Sequence, residues 1–382
     1  MHGSGRDAVE NLTERTAMAR TVRTSVSLCG VNLTNPIVLA AGPFGRDAET
    51  LERAVRAGFG AVTTKTIRLI AAKNPSPNIA KIGVDTLINA EKWSDLPLRA
   101  WITHEIPAVK RLGVPIIASI GFTAKEAAKI APMVEEAGAD FIETVTYDAN
   151  QILPTVKAAK SAAKIPVIAK VSANWLNLLR IAVKTEKFGA DAVSAIDSTS
   201  PVLAIDVETG KPYLGTRDGE GWLSGSAIHP LAVKCVAEIA ARVKIPVIGI
   251  GGISSGQDAV EMIMAGASCV ELCSAPILHG LKIFDRIENE LVEFMELKGY
   301  KTIQELRGVA LKNLQKQKRE SKKRLHPQIN HETCTLCGLC VNLCPYQALT
   351  LSDGKIVSHK RKCLSCGLCY SVCPRQAIKF RS

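Results

Sequence analysis

Eight of the twelve cysteines in this chain crowd into residues 334–373, and their spacing constrains the fold more than any other feature. Cys334, Cys337, Cys340 and Cys344-Pro345 spell C-x2-C-x2-C-x3-C-P, and Cys363, Cys366, Cys369 and Cys373-Pro374 repeat it. Three thiolates that close together on a tight loop reach three corners of one iron–sulfur cubane. The fourth, expected at the start of a short helix and pointing the other way, reaches the opposite cluster. The expected ligand sets are therefore Cys334, Cys337, Cys340 and Cys373 for one [4Fe-4S] cluster, and Cys363, Cys366, Cys369 and Cys344 for the second. Gly338 and Gly367 fall where the backbone must pass close to the inorganic core. Zinc, the other metal for clustered thiolates, is usually held by paired C-x2-C units, without a third cysteine and a C-P step.

A disulfide scaffold is excluded by length and context: such scaffolds are short secreted chains, and this one has 382 residues and no charged-then-apolar leader. Reduced thiols in a cytoplasmic setting fit better. No run of about 18 apolar residues occurs, so no membrane span is expected. The net charge of +12 is uneven, since residues 312–325 hold seven Lys or Arg and one Glu. That run reads either as a solvated linker or as a docking face for an acidic partner. Aromatics are only 4% of the chain and form no basic–aromatic platform, so nucleic acid is not an expected partner. The expected organisation is an N-terminal extension (1–24), a large domain (25–310), a basic linker (311–327) and the cysteine-rich module (328–382).

In the large domain, short apolar runs recur at 37–42, 61–66, 115–121, 141–147, 166–171, 192–197, 246–252 and 269–275. Most are followed by a helical pattern, and the phrases AGFGAV, AGADFI, FGADAV and AGASCV mark helix ends turning into the next strand. Eight strands alternating with helices over about 250 residues predict an α/β fold, a (β/α)8 TIM barrel, with a doubly wound sheet as the alternative. Chemistry in a barrel gathers at the C-terminal strand ends. Those ends carry Lys65, Ser119, Thr146–Asp148, Lys170, Asp197, Gly251–Gly252 and Cys273–Ser274. The glycines after strand seven and the Cys-Ser-Ala after strand eight predict a phosphate site. GIGGIS at 249–254 follows the seventh strand and lacks the closing glycine of a dinucleotide fingerprint, so no nicotinamide fold is expected. Lys65 and Lys170 stand inside apolar strands, where an uncompensated ammonium is costly, so both read as functional.

The tail is similar to bacterial two-cluster ferredoxins over about residues 328–382, an α+β module. In the large domain, Asn35-Pro36, Thr64-Lys65-Thr66, Leu87-Ile88-Asn89, Ala169-Lys170, Leu223-Ser224-Gly225, Gly251-Gly252-Ile253 and Cys273-Ser274-Ala275 resemble the FMN barrel of dihydropyrimidine and dihydroorotate dehydrogenases. Within that family the nearest likeness is to the ferredoxin-fused, NAD-dependent dihydropyrimidine dehydrogenase catalytic subunits. The resemblance implies that Lys65 and Lys170 lie against the isoalloxazine and that the amides of Gly225, Gly251, Gly252 and Ser274 cradle the FMN phosphate. Ala41, Thr66 and Cys273 would complete the cofactor site, and Asn89 and Glu91 would face the substrate.

Two departures from the family pattern stand out. Where the family ends strand four with Asn-Leu-Ser-Cys-Pro, this chain reads Val145-Thr146-Tyr147-Asp148, followed by a shorter loop. A family Asn–Thr pair after strand six appears as Asp197-Ser198. The FMN contacts persist while the substrate contacts change. Asp148 or Tyr147 is then the expected proton donor, with Asp148 as a helix cap the competing reading. The resemblance implies an iron–sulfur flavoprotein oxidoreductase acting on a CH–CH or C=C bond of a small-molecule substrate. Its clusters would relay electrons to an NAD(P)H-oxidising flavoprotein subunit or a ferredoxin, in a homo- or hetero-oligomer. A non-catalytic electron-transfer subunit and a reductase of a non-pyrimidine substrate are the alternatives.

Overall fold

The computed structural model describes residues 22–317 and 325–381. The chain divides into two compact units, the boundary falling between Leu314 and Gln315. Part of the expected linker is ordered: the helix Val309–Gln317 enters it from one side and the strand His326–Ile329 from the other. Most of the basic run, residues 318–324, lies outside the described residues.

In the larger unit eight parallel strands close into a barrel. In chain order they are Ile37–Leu39, Ala61–Thr63, Ile116–Gly121, Phe141–Val145, Val167–Ser172, Ala192–Asp197, Val247–Ile250 and Cys269–Leu272. All eight coincide with the predicted runs. Several end earlier than the apolar pattern does, because residues such as Thr64–Thr66 and Gly251–Gly252 leave the ladder to form the site.

The two-residue period of a strand explains where the site lies. Val38, Ala61, Ile117, Phe141, Ile168, Ala192, Ile248 and Cys269, one from each strand, form an apolar layer inside the barrel. The hairpin Val26–Leu28/Val31–Leu33 packs Leu28 and Leu33 into that layer. Two residues further along, the same inward face carries Thr63, Ser119, Glu143, Lys170, Ser194 and Glu271 on six of the strands, with Ala40 and Ile250 on the other two, all buried. Another two residues on come Gly42, Lys65, Val145, Gly252 and Cys273, which line a cavity. The barrel interior thus passes from apolar through polar to open, and the open end is the C-terminal one.

An additional four-stranded antiparallel sheet, which the alternating βα pattern does not foretell, is built from Thr199–Val202, Gly221–Gly225, Thr86–Asn89 and Ile79–Gly83, in that order. It brings Asn89, Trp222, Ser224 and Gly225 to the cavity.

The smaller unit repeats itself. Short helices Leu339–Asn342 and Leu368–Ser371 are each preceded by a left-handed glycine, Gly338 (φ 75°) and Gly367 (φ 84°). The left-handed residues Leu336 and Gln347 recur as Ser365 and Gln376. Two hairpin-like pairs, His326–Ile329 with Ile378–Arg381 and Leu349–Ser352 with Lys355–Ser358, complete it. No helix among the described residues is long and apolar enough to cross a membrane.

Candidate flavin site and cluster cavities

The cavity at the barrel's open end encloses about 1150 Å3, including its mouth. It collects Ala41, Lys65, Thr66, Lys170, Gly225, Gly251, Gly252, Cys273 and Ser274 with Asn89, Glu91, Asp197, Ser198 and Tyr147. Asp148 is the exception. It is exposed and turned away, its carboxylate accepting the Asn150 amide at 2.8 Å. It does not cap the following helix either, since Ile152–Ala162 has Gln151 at its N-cap. Of the two strand-four candidates, Tyr147 lines the cavity and Asp148 does not.

Loss of water around the hydroxyl raises the Tyr147 phenol to about 12, although the residue as a whole is 47% exposed, with the Asp197 carboxylate adding to the effect and Arg68 opposing it. It keeps its proton at neutral pH. Lys65 is paired with Glu91 at 2.9 Å. Lys170, only 5% exposed, lies 3.7 Å from Glu143. Burial alone would lower its ammonium, but Glu143, Asp197 and Glu271 outweigh that and the net shift is upward, so it stays charged. Glu143 and Glu271 are themselves buried and raised, chiefly by desolvation. Neither oxygen of Glu143 has a hydrogen-bond partner, whereas Glu271 accepts from Ser194 at 3.2 Å. Burial likewise lifts Cys273 to about 11, against the pull of Lys170, so it is a thiol.

The residues present fit an anionic, phosphate-bearing flavin. Among the described residues neither Gly251 (φ 127°) nor Gly252 (φ 69°) donates its amide to a protein acceptor. Beside them the hydroxyls of Ser274 and Ser224 lie 2.9 Å apart. The next helix, Gly256–Met264, is not the anion site: Asp258 already accepts the amides of Ser254 and Ser255, and Glu290 that of Gly256. The two lysines supply positive charge elsewhere in the same cavity.

Sequence reasoning picked out Tyr147 but missed the three rings that join it at the rim. Trp93, Phe122, Tyr147 and Trp222 form a row, with centroid separations of 5.6, 4.6 and 4.9 Å. The Arg68 guanidinium sits over both Trp93 (4.4 Å) and Phe122 (4.6 Å) and is held bidentate by Glu126. Only four tryptophans occur in the chain, and two of them are here.

In the smaller unit two cavities of about 370 and 320 Å3 each meet four cysteines. Cys334, Cys337, Cys340 and Cys373 line the first; Cys344, Cys363, Cys366 and Cys369 line the second. The crosswise grouping is the one the spacing predicts. One detail differs: Cys344 and Cys373 follow the short helices instead of starting them. Each accepts an amide at 3.3 Å, from Ala348 and Ala377 respectively.

A protein-family model described as dihydroorotate dehydrogenase matches residues 23–295. This chain belongs to that family. A second, described as 4Fe-4S dicluster domain, matches residues 321–380. The chain is 35% identical over 302 residues to "Dihydroorotate dehydrogenase B (NAD(+)), catalytic subunit" of Methanothermobacter thermautotrophicus, covering 74% of this chain and 97% of the relative. It is 35% identical over 302 residues to the protein of the same name from Pyrococcus horikoshii, covering 75% and 97%. The identity with that of Methanosarcina mazei is 37% over 300 residues, covering 74% and 94%. This dihydroorotate dehydrogenase family member is accordingly a flavoprotein oxidoreductase acting on CH–CH groups, with FMN and 4Fe-4S clusters as its cofactors. The first match covers the barrel and the second the cysteine-rich tail.

Proposed function

We propose that the chain interconverts a C=C and a CH–CH bond of a small conjugated molecule other than dihydroorotate, and exchanges the electrons with a partner through its cluster pair. The supporting observation is that a protonated phenol, two buried lysines and a glycine turn with free amides meet in one cavity, while the strand-four and strand-six substrate residues are changed. FMN, when bound, supplies the hydride exchange. Gly225, Gly251, Gly252 and Ser274 would hold its phosphate, with Ala41, Thr66 and Cys273 alongside. Lys65 and Lys170 would favour negative charge on its ring. Tyr147 Oη would give the substrate carbon its proton in the reducing direction. Asn89, Glu91, Asp197 and Ser198 would orient the substrate.

The relatives' printed names carry NAD(+) and the word subunit. By that analogy the electron partner is an NAD(P)H-oxidising flavoprotein, with a soluble ferredoxin the other candidate, in a hetero-oligomer. Eight thiols meant for clusters suit a reducing, cytoplasmic compartment.

Tyr147→Phe separates this reading from a purely electron-carrying barrel. Pre-reduced wild-type holoprotein should reoxidise on mixing with a conjugated acceptor, and the variant should do so about a hundredfold or more slowly with its FMN and iron content unchanged. Equal rates would remove the phenol from the mechanism. No reoxidation by any conjugated ligand would favour the carrier.

A further inference from the structure

Apart from Tyr147, the row of rings at the rim has no role in the reading above, and it bears on what the site takes. Phe122 and Tyr147 follow barrel strands three and four, and Trp222 comes from the antiparallel sheet. In the closed strand order, strands three and four lie across the barrel from strands seven and eight, whose ends carry Gly251, Gly252 and Ser274. Phe122 and Tyr147 are therefore on the side of the cavity away from Gly251, Gly252 and Ser274, while Trp222 stands three residues before Gly225 on its sheet strand. Tyr147 and Trp222 are the most parallel pair, 30° apart, and Tyr147 is 47% exposed. Their π-faces are a platform for another flat ring.

The polar groups at this end are selective. Asp197 lines the cavity, one carboxylate oxygen already accepting the Ser198 amide at 2.9 Å. A carboxylate only accepts, so a ligand must bring it a donor. Glu91 is a second carboxylate, and Lys65 is already spent on it at 2.9 Å. Of the other cations nearby, Arg68 is held by Glu126, Lys170 is faced by Glu143, and Lys92 is exposed to water, where a single ion pair is weak.

Resting on the flavoenzyme reading, we propose that the site binds a planar, conjugated, uncharged ring system stacked on Tyr147 and Trp222, donating an N–H to Asp197, and that it discriminates against a ring bearing a carboxylate.

Three probes separate the parts of this claim: uracil, orotate (uracil with a carboxylate) and 2-quinolone (a fused lactam with a larger stacking face). Binding to the FMN-loaded, cluster-loaded protein is read from perturbation of the flavin absorption band. The expected order is 2-quinolone tightest and orotate weakest, with about tenfold between neighbours, the size of one good aromatic contact. Trp222→Ala should weaken 2-quinolone about tenfold while leaving FMN affinity unchanged. Asp197→Asn should narrow the gap between uracil and orotate. Orotate as the tightest ligand of the wild type overturns the proposal, without needing any variant to fold. So does a Trp222→Ala protein that loses FMN affinity and keeps 2-quinolone affinity, since the wall would then belong to the flavin. Failure of the wild-type protein to take up FMN at all would strike the flavoenzyme reading beneath it, a distinguishable result.

Discussion

Tyr147 and Asp148 are adjacent in sequence and have opposite surroundings. The sequence offers both as acids, because both stand at the end of strand four. Strand periodicity alone does not choose between them once the ladder ends at Val145. Three-dimensional position does: the phenol lies among rings, the carboxylate in water with the Asn150 amide. Asp148→Ala is therefore expected to keep flavin reoxidation within about twofold of wild type, a surface change of little energetic consequence, in contrast to Tyr147→Phe. The buried glutamates show a signal that was available and unused. A charged residue inside an apolar strand marked Lys65 and Lys170, and the same test applied to FIETV and CVEL would have marked Glu143 and Glu271. Glu271 is raised to about 8 by burial and by Glu143, with Lys170 opposing. The folded state then holds a proton that the unfolded chain has already lost between about pH 4.5 and 8, so this group makes stability fall as pH rises through that window. Thermal unfolding of the wild type should show that decline over pH 5–8, and Glu271→Gln, which cannot ionise, should flatten it.

At the scale of elements, the barrel was legible because eight buried parallel strands leave eight apolar runs at regular spacing, each with a helix after it. The antiparallel sheet was not, because its strands are four or five residues long, only half buried in part, and come from two stretches more than a hundred residues apart along the chain. Nothing local in GVDTLINAEK announces a partner at Gly221–Gly225; their pairing is set by tertiary structure. Yet this sheet supplies Gly225, one of the four residues of the proposed cradle. A Cβ on Gly252 would stand 2.4 Å from the Gly225 carbonyl oxygen and 2.8 Å from the His229 Cβ, at a φ of +69° that disfavours any side chain. Gly252→Ala must push the strand-seven turn away from the sheet. We expect FMN affinity to drop at least tenfold, about 1.4 kcal/mol, comparable to the left-handed penalty alone. Flavin released per polypeptide on dilution measures it, while the circular dichroism of the barrel should be retained.

For the whole molecule, the tail was the most legible part, since ligand spacing is a local property written directly in the sequence. The linker was the least, because a basic run is compatible with helix, coil or docking surface alike. The crosswise grouping predicts which cysteine damages which centre. Cys373→Ser should disable the centre otherwise served by Cys334, Cys337 and Cys340, although it sits in the second motif. Cys344→Ser should do the converse. Iron should fall from about eight to about four per chain in either variant, and the two should lose different signals in the electron paramagnetic resonance spectrum of the reduced protein. If Cys373→Ser instead erased the centre of its own motif, the grouping would be wrong.

The same arrangement bears on how the tail is assembled. Its apolar core is small, centred on Cys340, Leu349, Ile356 and Ile378. A unit of this size with so few buried side chains has little folding energy of its own and draws on its metal for the rest. Because each motif lends one cysteine to its neighbour's cavity, the two motifs are interlocked like two buckles on one strap. Closing either one pins the loose ligand of the other within reach, so loading should be cooperative, with half-filled chains rare at intermediate iron supply.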